Sequence, residues 1–291
     1  MLDHLVAKSG TIALLGGIDT GKTSFGLSLA AAAKEKGLKT AYVDADVGQS
    51  TVGPPACIGL KFLEGLDHVD RESVADADEL AFVGSTSPSG HLLPLVSGTG
   101  RLVRDAKEAG ADLIIVDTSG LISGVYAEIL KYHKLQLIRP DAVVGFQRGS
   151  ELDPILGVLS RFLPVDVMAL KVHDAVEERS IEDRVSHREE RFRAYFGAPL
   201  QRWRMKTTVF MPSLQLEADL SRFDGLLVGL ENGKGRCLGI GLLEFDPEEQ
   251  LLRMISPVAE GATGLVLGSM RMTVEGKLLN MVTPRELFGS E

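Results

Sequence analysis

Eight residues near the start of the chain have the types and spacing of a phosphate-binding loop. Gly16 to Thr23 read GGIDTGKT and match the pattern G-x-x-x-x-G-K-[ST]. Glycines let successive backbone N–H groups turn toward one phosphate, and the helix that follows adds its partial positive charge. A lysine here reaches the β- and γ-phosphates, and the next hydroxyl can ligate magnesium. The loop predicts nucleotide contacts from Gly17, Ile18, Asp19, Thr20, Gly21, Lys22, Thr23 and Ser24.

Two carboxylates end the next predicted strand, in the sequence YVDADVGQS. Asp46 follows Asp44 and is therefore nearer to the carboxyl end of the strand, where parallel sheets bind their ligands. A carboxylate there can hold part of a magnesium shell or take a proton from an attacking hydroxyl. The alternative is an aspartate that only caps the following turn.

A third acidic segment, IIVDTSG, ends another predicted strand with Asp117, Thr118 and Gly120. Taken alone, it matches the D-x-x-G of GTP-hydrolysing switches. The N-K-x-D or T-K-x-D motif that reads guanine does not accompany it, because the nearest segment, ALKVHD, does not fit. A GTPase is therefore the weaker interpretation.

The polar segment VGSTSPSG, which contains Gly84 to Gly90, follows a further predicted strand. Its hydroxyls and backbone amides can contact a phosphate or a bound strand. The alternative is an ordinary surface loop.

Five arginines lie between residues 179 and 193 of this acidic chain. On a helix with about 100° per residue, Arg184, Arg188 and Arg191 share one edge, away from most of the carboxylates. A helix face that is merely solvated would alternate positive and negative side chains, which pair at i,i+4 spacing. The planar arginine fork also suits phosphate oxygens. The alternative is salt bridges to acidic patches elsewhere. The apolar stripe beside them, expected to pack on the domain, consists of Ile181, Val185, Phe192 and Phe196.

Alternating strands and helices must position these motifs. The predicted strands are TIALLG, KTAYVDAD, ELAFVGS, ADLIIVD, DAVVGFQ and VDVMALKV, and the predicted helices are TSFGLSLAAAAKEKG, LVSGTGRLVRDAKEAG, GVYAEILKYHKLQLI and DPILGVLSRFL. Continuous apolar strands separated by helices are typical of a parallel sheet covered on both faces. The predicted fold class is α/β, a P-loop NTPase core with a mainly parallel sheet covered by helices, over residues 1–198.

The pattern changes near Pro199. Beyond it, short strand-like runs dominate, namely KTTVFM, GLLVGLEN, CLGIGLLEFD, LLRMISP and TGLVLGSMRMT, separated by turn signals such as ENGKG. This spacing predicts a small C-terminal β domain, a barrel or sandwich, over residues 199–291.

The composition limits the class of protein. The 291 residues carry a formal net charge of −9, whereas proteins that coat nucleic acid are usually basic. Cys57 and Cys237 show no metal-ligand spacing, so a reducing cytoplasm is expected. No apolar run approaches the roughly 18 residues that span a bilayer, and no signal-peptide pattern opens the chain, so no membrane partner is expected.

In this order, the segments resemble the polynucleotide 5′-hydroxyl kinase family, which includes RNA kinases of messenger-RNA 3′-end cleavage, transfer-RNA splicing and ribosomal-RNA processing. DVGQS is similar to the family's Walker B signature D-x-G-Q, and GSTSP to its G-S-T-T-P stretch. VDTSGL is similar to its clasp, T-x-G-W, and ERSIEDRVSHREERFRAYFG to its arginine-bearing lid. The C-terminal strands look like those of short prokaryotic members.

The resemblance implies transfer of the γ-phosphate of ATP, with magnesium, to the 5′-hydroxyl of RNA or DNA, single-stranded or at a duplex end. Lys22 would hold the phosphates, Thr23 and Asp46 would bind the metal, and Asp46 would also act as general base. A lid helix at about 179–196 would close over the nucleotide with Arg179, Arg184 and Arg188. The nucleic acid would contact Gln49, Thr86 and Thr118.

One position departs from the family pattern. The clasp tryptophan, which stacks on the terminal bases of the acceptor, is Leu121 here. Stacking on an aromatic ring contributes about 1–3 kcal/mol per base. Leu121 still offers contact, but without a π-face, so acceptor affinity or the choice between RNA and DNA is expected to differ.

Two alternatives remain open at this stage. One is a non-catalytic, ATP-binding scaffold of a nucleic-acid-processing complex, which the joint presence of Lys22, Asp46 and the lid arginines disfavours. The other is a P-loop GTPase or metabolic kinase, which the missing guanine motif disfavours.

Overall fold

A computed structural model describes residues 1–214 and 218–289 of the chain. In chain order its elements are α1 (Leu2–Lys8), β1 (Gly10–Gly16), α2 (Lys22–Glu35), β2 (Thr40–Ala45), β3 (Cys57–Phe62), β4 (Glu79–Phe82), α3 (Leu92–Glu108), β5 (Leu113–Thr118), α4 (Val125–Ile138), β6 (Ala142–Gln147), α5 (Asp153–Phe162), β7 (Asp166–Lys171), α6 (Ile181–Phe196), β8 (Gln201–Arg204), β9 (Phe210–Met211), β10 (Leu226–Glu231), β11 (Cys237–Asp246), β12 (Leu251–Ser256), β13 (Gly264–Met272), β14 (Leu278–Met281) and α7 (Pro284–Phe288).

Parallel strands form the centre of the sheet, in the order β2-β5-β1-β6-β7. Strand β3 pairs antiparallel with β2, and β4 antiparallel with β3, so β4 runs in the same direction as the core. The loops after β1, β2, β4 and β5 therefore meet at one edge. Every residue of β2 and β5 is buried, which explains their continuous apolar sequences. The predicted α/β class with a mainly parallel sheet is confirmed.

Helices cover both faces of this sheet. On one face α1 and α2 pack against β1 and β5, and on the other α3, α4 and α5 contribute to a second apolar core. Helix α2 stops just before Gly37, whose φ of 77° is the left-handed conformation that commonly ends helices.

Strand β3 was not predicted from the sequence. Its six residues, CIGLKF, include a glycine and a lysine and are too few to show a period. Gly59 is required there, because a Cβ atom would lie 2.4 Å from the carbonyl oxygen of Val52.

The C-terminal strands form a mainly antiparallel sheet, in which only β9 runs parallel to its partner β13 among the described strands. This sheet has a core of its own, which includes Phe223, Leu226 and Val228. Strand β10 pairs with β11 and β13, β11 with β12, β12 with β8, and β13 with β14. Among the described residues this sheet is open between β8 and β14, so it is not the closed barrel that was one expectation. KTTVFM was predicted as a strand, but Thr207–Val209 form a 3₁₀ turn and only Phe210 and Met211 pair.

One backbone pair, Cys237 with Leu80, joins this C-terminal sheet to β4. A division into domains 1–198 and 199–291 stays a prediction, and residues 215–217 and 290–291 lie outside the described part. Within the described ranges, no helix is both long and apolar enough to cross a lipid bilayer.

Candidate active site

One cavity of about 610 Å³ opens at the carboxyl edge of the parallel strands. The loops after β1, β2, β4 and β5 line it, together with the segment that leads into α6. It brings together most of the predicted site residues, namely Ile18, Asp19, Thr20, Gly21, Lys22, Thr23, Ser24, Asp46, Gln49, Thr86, Leu121, Arg179, Arg184 and Arg188. Gly17 and Thr118 do not line it.

The loop between β1 and α2 is closed by its own hydrogen bonds. The Thr20 hydroxyl donates to the Gly17 carbonyl at 3.0 Å, and the Lys22 ammonium donates to the same oxygen at 2.6 Å. Gly21 precedes α2 with a φ of 84°, a conformation that glycine adopts without strain. The buried Lys22 therefore lies inside the ring of the loop, at the N-terminus of α2, the arrangement that binds phosphate.

Asp46 both caps a turn and faces the cavity. Its Oδ1 accepts hydrogen bonds from the amides of Gly48 and Gln49, at 3.0 and 3.1 Å. These bonds fix the carboxylate and leave Oδ2 for a ligand. The neighbouring Asp44 is buried instead, and its carboxylate accepts from the amides of Asp46, Thr51 and Val52. The turn-capping interpretation and the catalytic one are thus compatible.

Asp117, at the end of β5, is a site residue that sequence reasoning missed. Its Oδ2 accepts from the Thr23 hydroxyl at 2.5 Å and from the Tyr42 hydroxyl at 3.1 Å, while Oδ1 is buried without a partner among the described residues. Burial raises the pKa of Asp117, although the Lys22 charge and the Thr23 hydrogen bond oppose this. The available signal was the D-x-x-G segment, which the sequence analysis weighed as a GTPase motif and as part of the clasp, without assigning a role to Asp117.

The lid arginines reach the phosphate-binding loop through Asp19. The Arg179 amide and Nε each donate to the Asp19 carboxylate at 3.0 Å, and Arg184 Nη1 donates to it at 3.2 Å. Asp19 is partly buried, which alone would raise its pKa, but these hydrogen bonds and charges lower it. Arg179 precedes α6 instead of lying in it, because Ser180 and Asp183 form a capping box that starts the helix.

Arg188 lies one turn further along α6 and also lines the cavity. Unlike that of Arg184, its side chain makes no salt bridge or hydrogen bond among the residues that the structure describes. Partial burial and the nearby Arg184 charge lower the pKa of Arg188, so the site favours an anion beside it.

The apolar stripe expected along α6 packs only in part. Phe192 and Phe196 are buried against Leu227 and other apolar residues of the C-terminal sheet. Ile181 is 68% exposed and Val185 37% exposed, contrary to expectation, because the first half of α6 lies beside the open cavity.

Three of the four predicted nucleic-acid contacts, Gln49, Thr86 and Leu121, line the cavity. The Gln49 side chain donates to the Arg184 carbonyl at 3.3 Å, which links the turn after β2 to the lid. Thr118 requires a correction, because it is fully buried. Its hydroxyl donates to the Leu14 carbonyl and accepts from Lys131, so it cannot contact an acceptor strand.

The C-terminal sheet supports both the loop after β4 and the lid. The Ser269 amide donates to the Gly84 carbonyl at 2.9 Å, and the Ser269 hydroxyl bonds to His91 at 2.8 Å. The Tyr195 hydroxyl of α6 accepts from the Ile240 amide at 2.9 Å. These strands therefore hold the backbone on two sides of the cavity.

Two further arginines contribute to the site, although the sequence analysis gave neither of them a role. Arg191 had no assigned role, yet it donates to the carbonyls of Thr51 and Gly53, at 3.3 and 2.7 Å, and so anchors α6 to the loop after Asp46. Arg71 lines the cavity from a charged segment that lacks a clear period, so no sequence signal marked it.

Known proteins resemble this chain over the segments that form the cavity. Residues 16–198, from the phosphate-binding loop through the lid, match the family described as mRNA cleavage and polyadenylation factor CLP1 P-loop. A polyribonucleotide 5′-hydroxyl-kinase of Methanocaldococcus jannaschii is 31% identical over 303 residues, covering 86% of this chain and 82% of that protein. A polyribonucleotide 5′-hydroxyl-kinase of Thermococcus kodakarensis is 30% identical over 335 residues, covering 96% of this chain and 93% of that protein.

A solved structure, that of the wild-type Clp1p–Pcf11p complex, aligns with a TM-score of 0.71 over 90% of this chain and 74% of that one. At 13% identity this likeness shows the fold alone. The family match covers more than half of the chain and includes every loop that meets at the cavity. The chain therefore belongs to the CLP1 P-loop family.

Proposed function

We propose that the protein is an ATP-dependent polynucleotide 5′-hydroxyl kinase, which transfers the γ-phosphate of ATP to the 5′-hydroxyl end of RNA, DNA or both. One observation carries the proposal. A single cavity combines a phosphate-binding loop, an aspartate with an oxygen available for a hydroxyl, and a lid arginine, Arg188, whose side chain has no partner among the described residues. The names of the relatives from M. jannaschii and T. kodakarensis support the same activity.

The phosphate-binding loop would hold ATP. Its amides and the α2 N-terminus attract the phosphates, and Lys22 would exchange the Gly17 carbonyl for β- and γ-phosphate oxygens. Arg188, which lacks an anionic partner among the described residues, would meet the transferring phosphoryl group. Arg179 and Arg184 are held in the same wall by Asp19.

Asp46 would take the proton of the acceptor. The 5′-hydroxyl oxygen forms a bond to the γ-phosphorus, and the bond from that phosphorus to the β–γ bridging oxygen breaks. The hydroxyl proton passes to Asp46 Oδ2, and ADP leaves with the electron pair of the broken bond. Because Asp46 Oδ1 is fixed by two backbone amides, the basic oxygen is presented in one orientation.

The residues present fit magnesium, which prefers oxygen ligands. The ion would be held, directly or through water, by Thr23 Oγ1, by Asp46 and by Asp117 Oδ1, which has no partner in the described part of the chain. When bound, the ion would neutralise the negative charge that develops on the phosphates during transfer.

The acceptor strand would enter between the loops after β4 and β5, where Thr86 and Leu121 line the cavity, with Gln49 beside them. Single-stranded ends and duplex ends are both accommodated by this proposal. Cytoplasmic activity is consistent with the two free, buried cysteines.

A non-catalytic scaffold is the main alternative. Label transfer from γ-labelled ATP to short 5′-hydroxyl RNA and DNA decides between them, with 5′-phosphorylated oligonucleotides as the control. Transfer is expected with the 5′-hydroxyl ends only. Absence of transfer, while ATP still binds, would refute the kinase assignment.

Two variants test the assigned residues in the same assay. Asp46→Asn is expected to keep ATP binding and to lose at least ~10²-fold in turnover, the usual range for a proton-transfer group. Lys22→Ala should lose both binding and turnover. Transfer by either variant at the wild-type rate would show that the reaction takes place elsewhere.

A further inference from the structure

Helix α4 buries two lysines behind the cavity. Lys131 and Lys134 are both 0% exposed, on a helix whose other buried positions are apolar. Lysine is almost never fully buried unless it is paired, because its N–H groups lose their hydration. The predicted phosphate-transfer chemistry uses neither residue.

Lys131 is the partnered one of the two. Its Nζ donates to Thr118 Oγ1 at 2.8 Å and to the Ser119 carbonyl at 2.6 Å. Because Thr118 Oγ1 donates onward to the Leu14 carbonyl at 2.8 Å, it must accept from Lys131. A directed chain of hydrogen bonds thus runs from α4 through the end of β5 to β1.

This chain fixes the start of a loop that forms one wall of the cavity. The acceptor loop, Ser119 to Ser123, lines the cavity along its whole length. Its second residue, Gly120, packs so closely on the phosphate-binding loop that a Cβ atom would lie 2.6 Å from Ile18 Cγ1 and 2.8 Å from the Ile18 amide nitrogen. The loop is therefore held between Lys131 on one side and Ile18 on the other.

We propose that Lys131 is a positioning residue, which sets the distance and angle of the acceptor loop relative to the phosphate-binding loop. The inference rests on the proposed function, because the loop is assigned to the acceptor strand. Lys131 reaches neither substrate, so its loss affects acceptor binding and transfer more than ATP binding. Lys131 acts through its N–H groups, which are donors whether or not the amine carries a proton.

Lys134 supplies a matched control. It lies one turn further along α4, is buried to the same extent, and its Nζ has no hydrogen-bond partner among the described residues. Lys131→Met and Lys134→Met therefore make the same chemical change in the same helix. Only the first removes contacts to the acceptor loop.

Two measurements test the proposal on the whole chain. In Lys131→Met, acceptor KM should rise or kcat should fall, on the order of tenfold or more, as expected for two lost buried hydrogen bonds. ATP binding should stay within about twofold of wild type. Hydrogen–deuterium exchange of residues 119–124 should be faster than in wild type. Lys134→Met should match wild type in acceptor KM, kcat and ATP binding, and it should not speed exchange of residues 119–124.

The exchange measurement is independent of catalysis, so it keeps the inference separate from the proposed function. If wild-type protein transfers no phosphate, exchange alone still decides whether Lys131 fixes the loop. If Lys131→Met does not fold, Thr118→Val, which is isosteric and breaks the same chain of hydrogen bonds, should also speed exchange of residues 119–124. Exchange at the wild-type rate in the folded variants, or equal effects of the two lysine variants, would overturn the proposal.

Discussion

Replacing Lys134 by methionine should stabilise the protein. The lysine is fully buried, and its ammonium has no hydrogen-bond partner among the described residues. Methionine has a similar length and no charge, and it fills irregular apolar space well. The substitution removes a buried charge without leaving a cavity.

The magnitude follows from the acid–base behaviour of Lys134. Burial lowers its pKa from 10.5 to about 8, although Asp46, Asp44 and Asp117 draw it upward. The difference between these pKa values corresponds to a free energy of about 3 kcal/mol. Because the folded-state pKa is the lower one, the unfolded chain binds the proton more tightly. The stability that depends on Lys134 is therefore greatest above pH 10.5, falls as the pH drops toward 8, and is constant below that.

Methionine does not titrate, so Lys134→Met should gain about 3 kcal/mol over wild type below pH 8 and progressively less toward pH 10.5. Urea denaturation at pH 7 and pH 10 measures both free energies of unfolding. The control is Lys234→Met, at an exposed turn, whose free energy of unfolding should stay within about 0.5 kcal/mol of wild type at both pH values. A destabilised Lys134→Met, or a gain that does not shrink with rising pH, would refute the reasoning.

Three further substitutions test the site. Arg188→Ala should lower kcat by ~10²-fold or more with ATP binding little changed, whereas Arg193→Ala, exposed on the same helix, should have no effect on steady-state kinetics. Asp117→Asn should raise the magnesium concentration that gives half-maximal transfer, and an unchanged magnesium titration would exclude it from the metal site. Leu121→Trp should lower the acceptor KM by roughly five- to a hundredfold, the equivalent of one base-stacking interaction, and equal KM values would place the terminal base elsewhere.

The sequence predicted the elements that carry a continuous apolar run, a helical period or a recognisable motif. The central strands, the phosphate-binding loop and α6 belong to this group. Strand β3 and the segment with Arg71 were not predicted, because short mixed runs acquire their structure from pairing partners far along the chain. Gly59 illustrates this, since what fixes it is contact with Val52 in the folded state.

Side-chain roles were harder to predict than elements. Asp117 and Thr118 are adjacent in one strand, yet Asp117 bonds to Thr23 while Thr118 is buried against Lys131. Alternation along a strand sends neighbours to opposite faces, but the sequence does not specify which face meets the nucleotide. Lys131 itself lay in a helix where nothing in the local pattern distinguishes it from a surface lysine.

The distribution of charge reconciles an acidic protein with a polyanionic substrate. The chain carries −9 overall, yet the cavity is lined by five basic side chains, those of Lys22, Arg71, Arg179, Arg184 and Arg188, against three acidic ones, those of Asp19, Asp46 and Glu177. The remaining acidic surface discourages binding along the length of a nucleic acid, whereas a chain end can enter the cavity. Few phosphates can then be neutralised at once, and affinity should depend only weakly on salt compared with proteins that coat a duplex. A protein that acts on ends thus needs its positive charge only where the loops after β1, β2 and β5 converge with the lid, and the C-terminal sheet keeps the lid there.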